Sequence, residues 1–256
     1  MTPPYRLPIR LSHLRLFSTS YLPTLTQTST STSTSTILKQ QTTPFTNPIR
    51  TYHHTTTLKM RLPYVPNPPP TSTPEDQAIV DRITERRAPR PLQPLDLTLL
   101  HSPPVADGWN AFLGAVRTRT LVPADARELA ISRVAVVNKA WYEWAHHAPL
   151  AVAAGVSEAA MEFVRTAAAA ALSDVRAAGA DRGGLDERLW AVLCLADEMT
   201  RNVEVREETF AVVRGLFGER GVVELVATVA CYNCVSRFLV AMDVGEKNGT
   251  GPDAAH

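Results

Sequence analysis

The first 74 residues contain no aspartate or glutamate, although they hold seven basic residues: Arg6, Arg10, Arg15, Lys39, Arg50, Lys59 and Arg61. All 25 acids therefore fall on residues 75–256, against 19 of the 26 basic residues, and that part of the chain carries a net charge near −6. A mildly acidic body with no basic stripe excludes nucleic acid as its main partner. Cysteine is scarce: Cys194, Cys231 and Cys234 are all there are, each inside an apolar helical pattern. That usage excludes a disulfide scaffold and suits a reducing compartment. No apolar run is expected to reach the roughly 18–20 residues that a membrane-spanning helix requires, so no membrane partner is expected. Period-two alternation is lacking as well, and glycine and proline fall mainly at the boundaries of helical patterns, which excludes a sheet as the organising element.

What is present is a sharp change of character along the chain. Residues 1–59 are rich in serine and threonine, with an unbroken Thr/Gln/Ser run from Thr26 to Thr36. This composition offers too little apolar surface to offset chain entropy, so disorder is expected. The same segment fits the Arg- and Ser-rich, acid-poor composition of a mitochondrial transit peptide. It fits equally an upstream stretch ahead of a start at Met60, so the expected location is the cytoplasm or the mitochondrial matrix. Residues 60–74 carry six prolines and form an extended lead-in. Residues 75–247 form an all-α domain of about eight helices, and residues 248–256 a flexible tail. The expected helices run Glu75–Arg87, Leu95–His101, Ala106–Thr118, Pro123–Asn138, Trp141–Ala154 with a break before Pro149, Ser157–Leu172, Asp186–Arg201, Arg206–Phe217 and Gly221–Gly245.

One pair of these helices places chemistry together. If the chain reverses at Asn138, Glu128 lies ten residues back and His147 nine forward. At about 1.5 Å of rise per residue the two side chains stand at one level of an antiparallel pair. Glu143 lies one turn before His147 on the same face. Two carboxylates and an imidazole in a partly desolvated cleft suit proton transfer, because burial shifts a carboxyl group upward and a neighbouring carboxylate holds the imidazole tautomer. The same spacing also suits an ordinary helix pair in which nothing reacts. Trp109, Tyr142 and Trp144 are candidates for lining a pocket, or for core and interface packing. Arg127 and Arg133 flank Glu128 as candidates for a substrate carboxylate or for ion pairs. His146 projects about 100° from His147, so only one of the two is expected to face a cleft. No metal is expected: Glu143-x-x-His146 is the single Glu-x-x-His in the chain, and His-Glu-x-x-His is absent.

The run from Arg127 through Glu128, Trp141, Tyr142, Glu143 and Trp144 to His147 resembles the core of the carboxymuconolactone decarboxylase and alkylhydroperoxidase D-like superfamily. Its redox branch carries a Glu, a Cys-x-x-Cys and a His at the places occupied here by Glu128, Ala140, Glu143 and His147. Both thiols of that pattern are missing, and an alanine and a carboxylate form no disulfide. The non-redox branch, with Glu followed four residues later by His as in Glu143 and His147, is the better fit. The resemblance implies an all-α fold, a homo-oligomer (trimer or hexamer) with its active site near a subunit interface, and a cofactor-free lyase or isomerase acting on a small oxo-acid or lactone. In that reading His147 is the general acid/base, Glu143 its orienting partner or a second proton carrier, and Glu128 tunes both; Trp144, Tyr142, Arg133 and Trp109 contact the substrate. Two alternatives stay open: a peroxide or thiol reductase working through Cys231 and Cys234, and a non-catalytic helical oligomer that binds a small ligand. Cys231-Tyr-Asn-Cys234 lies mid-helix, where cysteines serve as buried packing residues.

Overall fold

The computed structural model describes residues 60–176 and 181–255; the expected disordered segment 1–59 lies outside them. Eight α-helices make up the described chain: α1 (Pro74–Arg87), α2 (Pro94–Leu99), α3 (Pro103–Thr118), α4 (Ala124–Asn138), α5 (Trp141–Ala153), α6 (Glu158–Thr166), α7 (Glu187–Asn202) and α8 (Glu207–Met242). No strand occurs among the described residues. The fold is all-α.

Local signals set most helix starts. Thr73 accepts a hydrogen bond from the backbone N–H of Asp76, Pro74 opens α1, and Glu75 and Asp76 occupy its first turn. Ser157 caps α6 through the N–H of Ala160, and Asp186 caps α7 through that of Leu189. The reversal between α4 and α5 uses Lys139 in the left-handed region (φ 55°), with the N–H of Ala140 donating to the carbonyl of Ala135 at 2.8 Å. The turn is short enough to force an antiparallel hairpin.

α4 is the centre of the core and packs against α5, α7 and α8. Leu129, Ala130, Ile131, Val134 and Ala135 are all fully buried, the alanines allowing close helix approach. α7 buries an unbroken run from Leu189 to Glu198, with Trp190 fully enclosed and donating its indole N–H to the carbonyl of Val175. α1, α2 and α3 share a second, smaller apolar cluster built on Val80, Ile83, Leu92, Leu99, Leu100 and Ala106. The proline-rich lead-in is tied to the domain: Met60 is buried, the N–H of Val65 donates to the carbonyl of Leu97, and the Tyr64 hydroxyl accepts from the N–H of Gly245.

Several expectations need correcting. α5 runs unbroken through Pro149, because Trp144, His147 and Ala151 on either side of it are buried in the bundle and hold the helix despite one lost backbone donor. α6 stops at Thr166 rather than Leu172: the carbonyls of Val164 and Ala167 turn to the guanidinium of Arg133, and a separate 3-10 turn spans Ala169–Leu172. The two expected C-terminal helices do occur within α8: they meet at a kink at Gly218 (φ 69°, ψ 177°), a backbone conformation that favours glycine. Pro252–Ala255 is a short 3-10 turn packed against α5. α8 also contains an 18-residue window of mean hydropathy 1.6, long and apolar enough to cross a membrane by length and composition, contrary to the sequence expectation. That window is 44% buried, since the helix forms a wall of the core.

Candidate active site

The hairpin brings Glu128 and His147 into direct contact. His147 Nδ1 lies 2.7 Å from Glu128 Oε2, and both side chains are buried. Burial holds the His147 pKa below the ordinary imidazole value, against the opposing pull of the Glu128 bond and charge. Burial pushes the Glu128 carboxyl up, but the hydrogen bond and charge of His147 and those of Arg127 outweigh it and leave Glu128 below its ordinary value. An ionised carboxylate beside a neutral imidazole fixes the proton on Nδ1, which donates to Glu128. The other ring nitrogen, Nε2, then carries the lone pair and is free to act as a base.

Glu143 does not pair with His147. Its Oε1 accepts a hydrogen bond from the Ser236 hydroxyl of α8 at 2.9 Å, and its Oε2 is buried without a partner. Burial raises its pKa well above the ordinary carboxylate value, with Ser236 opposing. Glu128, not Glu143, is the group that orients His147. Burial therefore favours the protonated form of Glu143, with Oε1 taken by Ser236 and Oε2 unpartnered.

His147 and Glu143 line one cavity of about 160 Å³ with Tyr142, His146, Tyr232 and Arg117 among its walls. A larger cleft of about 640 Å³ shares Arg87, Arg90, Leu113, Arg117 and Leu150 with it and reaches Glu128 and Arg127. Both histidines reach the cavity, His147 from its wall and the exposed His146 from its rim, where His146 stacks on Tyr142 at 4.3 Å between ring centroids. Tyr142 is buried, and desolvation pushes its phenol up to about 12. Its ring packs so closely on Gly245 (φ 72°) that a Cβ there would stand 2.6 Å from Cδ2. Tyr232 meets the His147 ring edge-on at 4.9 Å. Arg87 is committed to Asp96 (Nε–Oδ2 2.7 Å), whereas half-buried Arg117 has no ion pair among the described residues.

Three expected substrate contacts lie elsewhere. Arg133 is fully buried, with Nε and Nη2 on Asp197 Oδ1 (2.9 and 2.6 Å) and Nη1 and Nη2 on the carbonyls of Val164 and Ala167. Every nitrogen of its guanidinium is spent on structure. Trp144 projects to the other side of α5, into a cavity it shares with Met161 and Pro252. Trp109 packs on Phe238 at 5.2 Å and lines a third cavity with Cys231 and Cys234. Cys234 is exposed rather than buried, because its face of α8 looks into that cavity; Cys231 is buried and its thiol is pushed up to about 12 by desolvation, with Cys234 and Glu143 adding to it. Sequence reasoning missed Tyr232, Ser236 and Arg117. The first two lie in a helix that is apolar on most sides, and no periodic face singles them out.

The central hairpin of the bundle thus closes a buried His–Glu pair and sets it beside a second buried carboxyl group in one cavity. Residues 103–182 match the model of the Carboxymuconolactone decarboxylase family. A crystal structure described as an uncharacterized peroxidase-related protein from Silicibacter sp. TM1040 superposes with a TM-score of 0.54 at 17% identity, covering 73% of this chain and 95% of that one. At that identity the likeness is one of fold alone. None of the curated proteins matches the sequence.

Proposed function

We propose that the protein is a cofactor-free acid–base catalyst, a lyase or isomerase acting on a small oxo-acid or unsaturated lactone. The observation that carries this reading is the placing of two groups in the wall of one cavity: His147, with Nδ1 2.7 Å from Glu128 Oε2, and buried Glu143, with an unpartnered Oε2. Burial favours the neutral form of each. A base and an acid side by side at neutral pH are what enolate chemistry requires. His147 Nε2 removes or returns a proton at the carbon next to a carbonyl, Glu128 stabilises the imidazolium that forms, and Glu143 donates to the carbonyl oxygen. Arg117, half-buried and without an ion pair among the described residues, is suited to a substrate carboxylate. The match of residues 103–182 to the family model supports the class of chemistry and of substrate, and the cavity of about 160 Å³ supports a small one.

The test is deuterium uptake from heavy water into a panel of oxo-acids and lactones, with mass-spectrometric detection of lost carbon dioxide as a second channel. Uptake that disappears in His147→Ala is the expected result. A folded wild-type chain that neither exchanges nor decarboxylates any member of the panel overturns the reading.

A peroxide-reducing role has the name of the Silicibacter protein in its favour. In this chain it would run through Cys231 and Cys234. Against it stands the Cys231 thiol, buried and pushed up to about 12, since the thiolate is the nucleophile. An anaerobic thiol count that falls by two after peroxide treatment would favour it.

Assembly is a further proposal. Val223 and Phe112 are large apolar side chains left 68% and 51% exposed, in keeping with a homo-oligomer. Light scattering of the purified chain decides between monomer, trimer and hexamer.

A further inference from the structure

Four residues of the cavity wall carry a buried polar atom without a hydrogen bond: Arg87 Nε, Tyr142 Oη, Glu143 Oε2 and Tyr232 Oη. Arg87 Nε faces Asp96 Oδ2 at 2.7 Å and Tyr142 lies against the backbone of Leu95, which leaves Tyr232 and Glu143 as the two with nothing opposite them. They are 1% and 2% exposed. Such orphans are costly, and native proteins leave few of them. They belong to different helices, α8 and α5, yet both line the cavity that His147 also lines. A ligand in that cavity would lie against both residues.

Both groups are donors in their resting forms. Desolvation pushes the Tyr232 phenol well above its ordinary value, against the pull of nearby Arg117, so the O–H stays protonated. Ser236 occupies Oε1 of Glu143, so Oε2 is the oxygen left for a ligand. These groups beside the His147 ring, which meets Tyr232 edge-on at 4.9 Å, match a carbonyl whose neighbouring carbon is deprotonated.

We propose that Tyr232 Oη and Glu143 Oε2 form an oxyanion site, and that the site selects substrates whose reacting group is a ketone or lactone carbonyl. This rests on the acid–base reading above and adds Tyr232 as a catalytic residue. In the step it serves, the C–H bond beside the carbonyl breaks, its proton goes to His147 Nε2, and its electron pair forms the carbon–carbon double bond. The carbonyl π pair moves onto oxygen, where the two donors receive the charge. Return of the proton to carbon reverses the flow, so no oxidant or other reactant is needed. Preorganised donors of this kind in a site closed to water are each worth on the order of 10²–10³ in rate.

The experiment separates this site from turnover. Para-nitrophenol, whose bound phenolate is visible by its absorbance, is titrated into the full chain, and deuterium exchange is followed in parallel on the most active oxo-acid. The wild type is expected to bind the phenolate. Tyr232→Phe, which keeps the ring packed, and Glu143→Leu should each weaken that binding about tenfold to a hundredfold, the range for one hydrogen bond to a charged group. Glu143→Gln keeps an N–H donor in place and should retain affinity within a few-fold, a rescue that a purely structural role for Glu143 does not predict. Phenolate binding lost through Tyr232 without any exchange activity would remove the acid–base reading and leave the oxyanion site standing. Exchange that is unchanged in Tyr232→Phe, phenolate that binds all variants alike, or a wild type that binds none overturns the proposal. If Tyr232→Phe melts too low to test, the contrast between Glu143→Leu and Glu143→Gln decides it.

Discussion

Two buried charged clusters hang from the same helix, α4, and they are finished differently. Around Arg133, every guanidinium nitrogen has an acceptor, and Asp197 is further bound by Arg201 at 3.0 Å. Around His147, one contact is complete, to Glu128, while Glu143 Oε2 and Tyr232 Oη have none. A closed network rigidifies; an open one waits for a ligand. Arg133, one turn beyond Glu128 on the same helix, is thus a pin between α4, α6 and α7, and the open cluster is where chemistry belongs.

Breaking either cluster sharpens that division. His147→Ala should lower deuterium exchange by about 10²–10⁴-fold, the range for a positioned general base, and should also lower the urea midpoint, since it leaves buried Glu128 with Arg127 as its remaining partner. Asp197→Ala leaves Arg133 charged and unpaired in the core, at a cost of about 3–5 kcal/mol of stability by urea denaturation, while the folded fraction keeps its exchange rate. If Asp197→Ala proves mild, the closed network is not structural and the contrast fails. Arg117→Ala should raise KM for a carboxylate substrate by about tenfold to a hundredfold, from one charge-assisted bond, and spare a neutral lactone.

The smallest effect is one of pH. His147, with its pKa depressed, must be neutral to act, so exchange should fall as pH drops through a value below the ordinary imidazole range. Glu143, with its pKa raised, must be protonated, so exchange should fall again as pH rises through its folded pKa. Glu143→Gln removes the alkaline limb and keeps the acid one. Stability follows the same sign for Glu143. A raised folded pKa means its contribution is full below the unfolded carboxylate pKa and lost as pH rises through the folded one, so the variant should gain on the wild type in alkaline urea titrations. A profile with both limbs intact in Glu143→Gln would assign the alkaline limb to another group.

Much of the fold was legible in the residues. The α4–α5 hairpin followed from periodicity and one break near Asn138, and with it came the Glu128–His147 contact, because two helices of known rise bring fixed positions to one level. The errors share a cause. Arg133 reads as a surface cation beside Glu128, but helical spacing does not say that a third helix will offer Asp197 and two carbonyls to enclose it. Trp144 and Trp109 are near the site in sequence and point to other cavities. Ser236, 93 positions from its partner Glu143, carries no local signal at all.

The sequence by itself determined the all-α class, most helix boundaries and the pairing of Glu128 with His147, since caps, prolines, apolar periodicity and helical rise are short-range effects. Tertiary structure alone decided which charges close into scaffold and which remain open to a ligand. It placed Tyr232, Ser236 and Arg117 against Glu143 and His147, and it set the protonation of each group, because burial and the partners supplied by other helices are properties of packing and not of spacing.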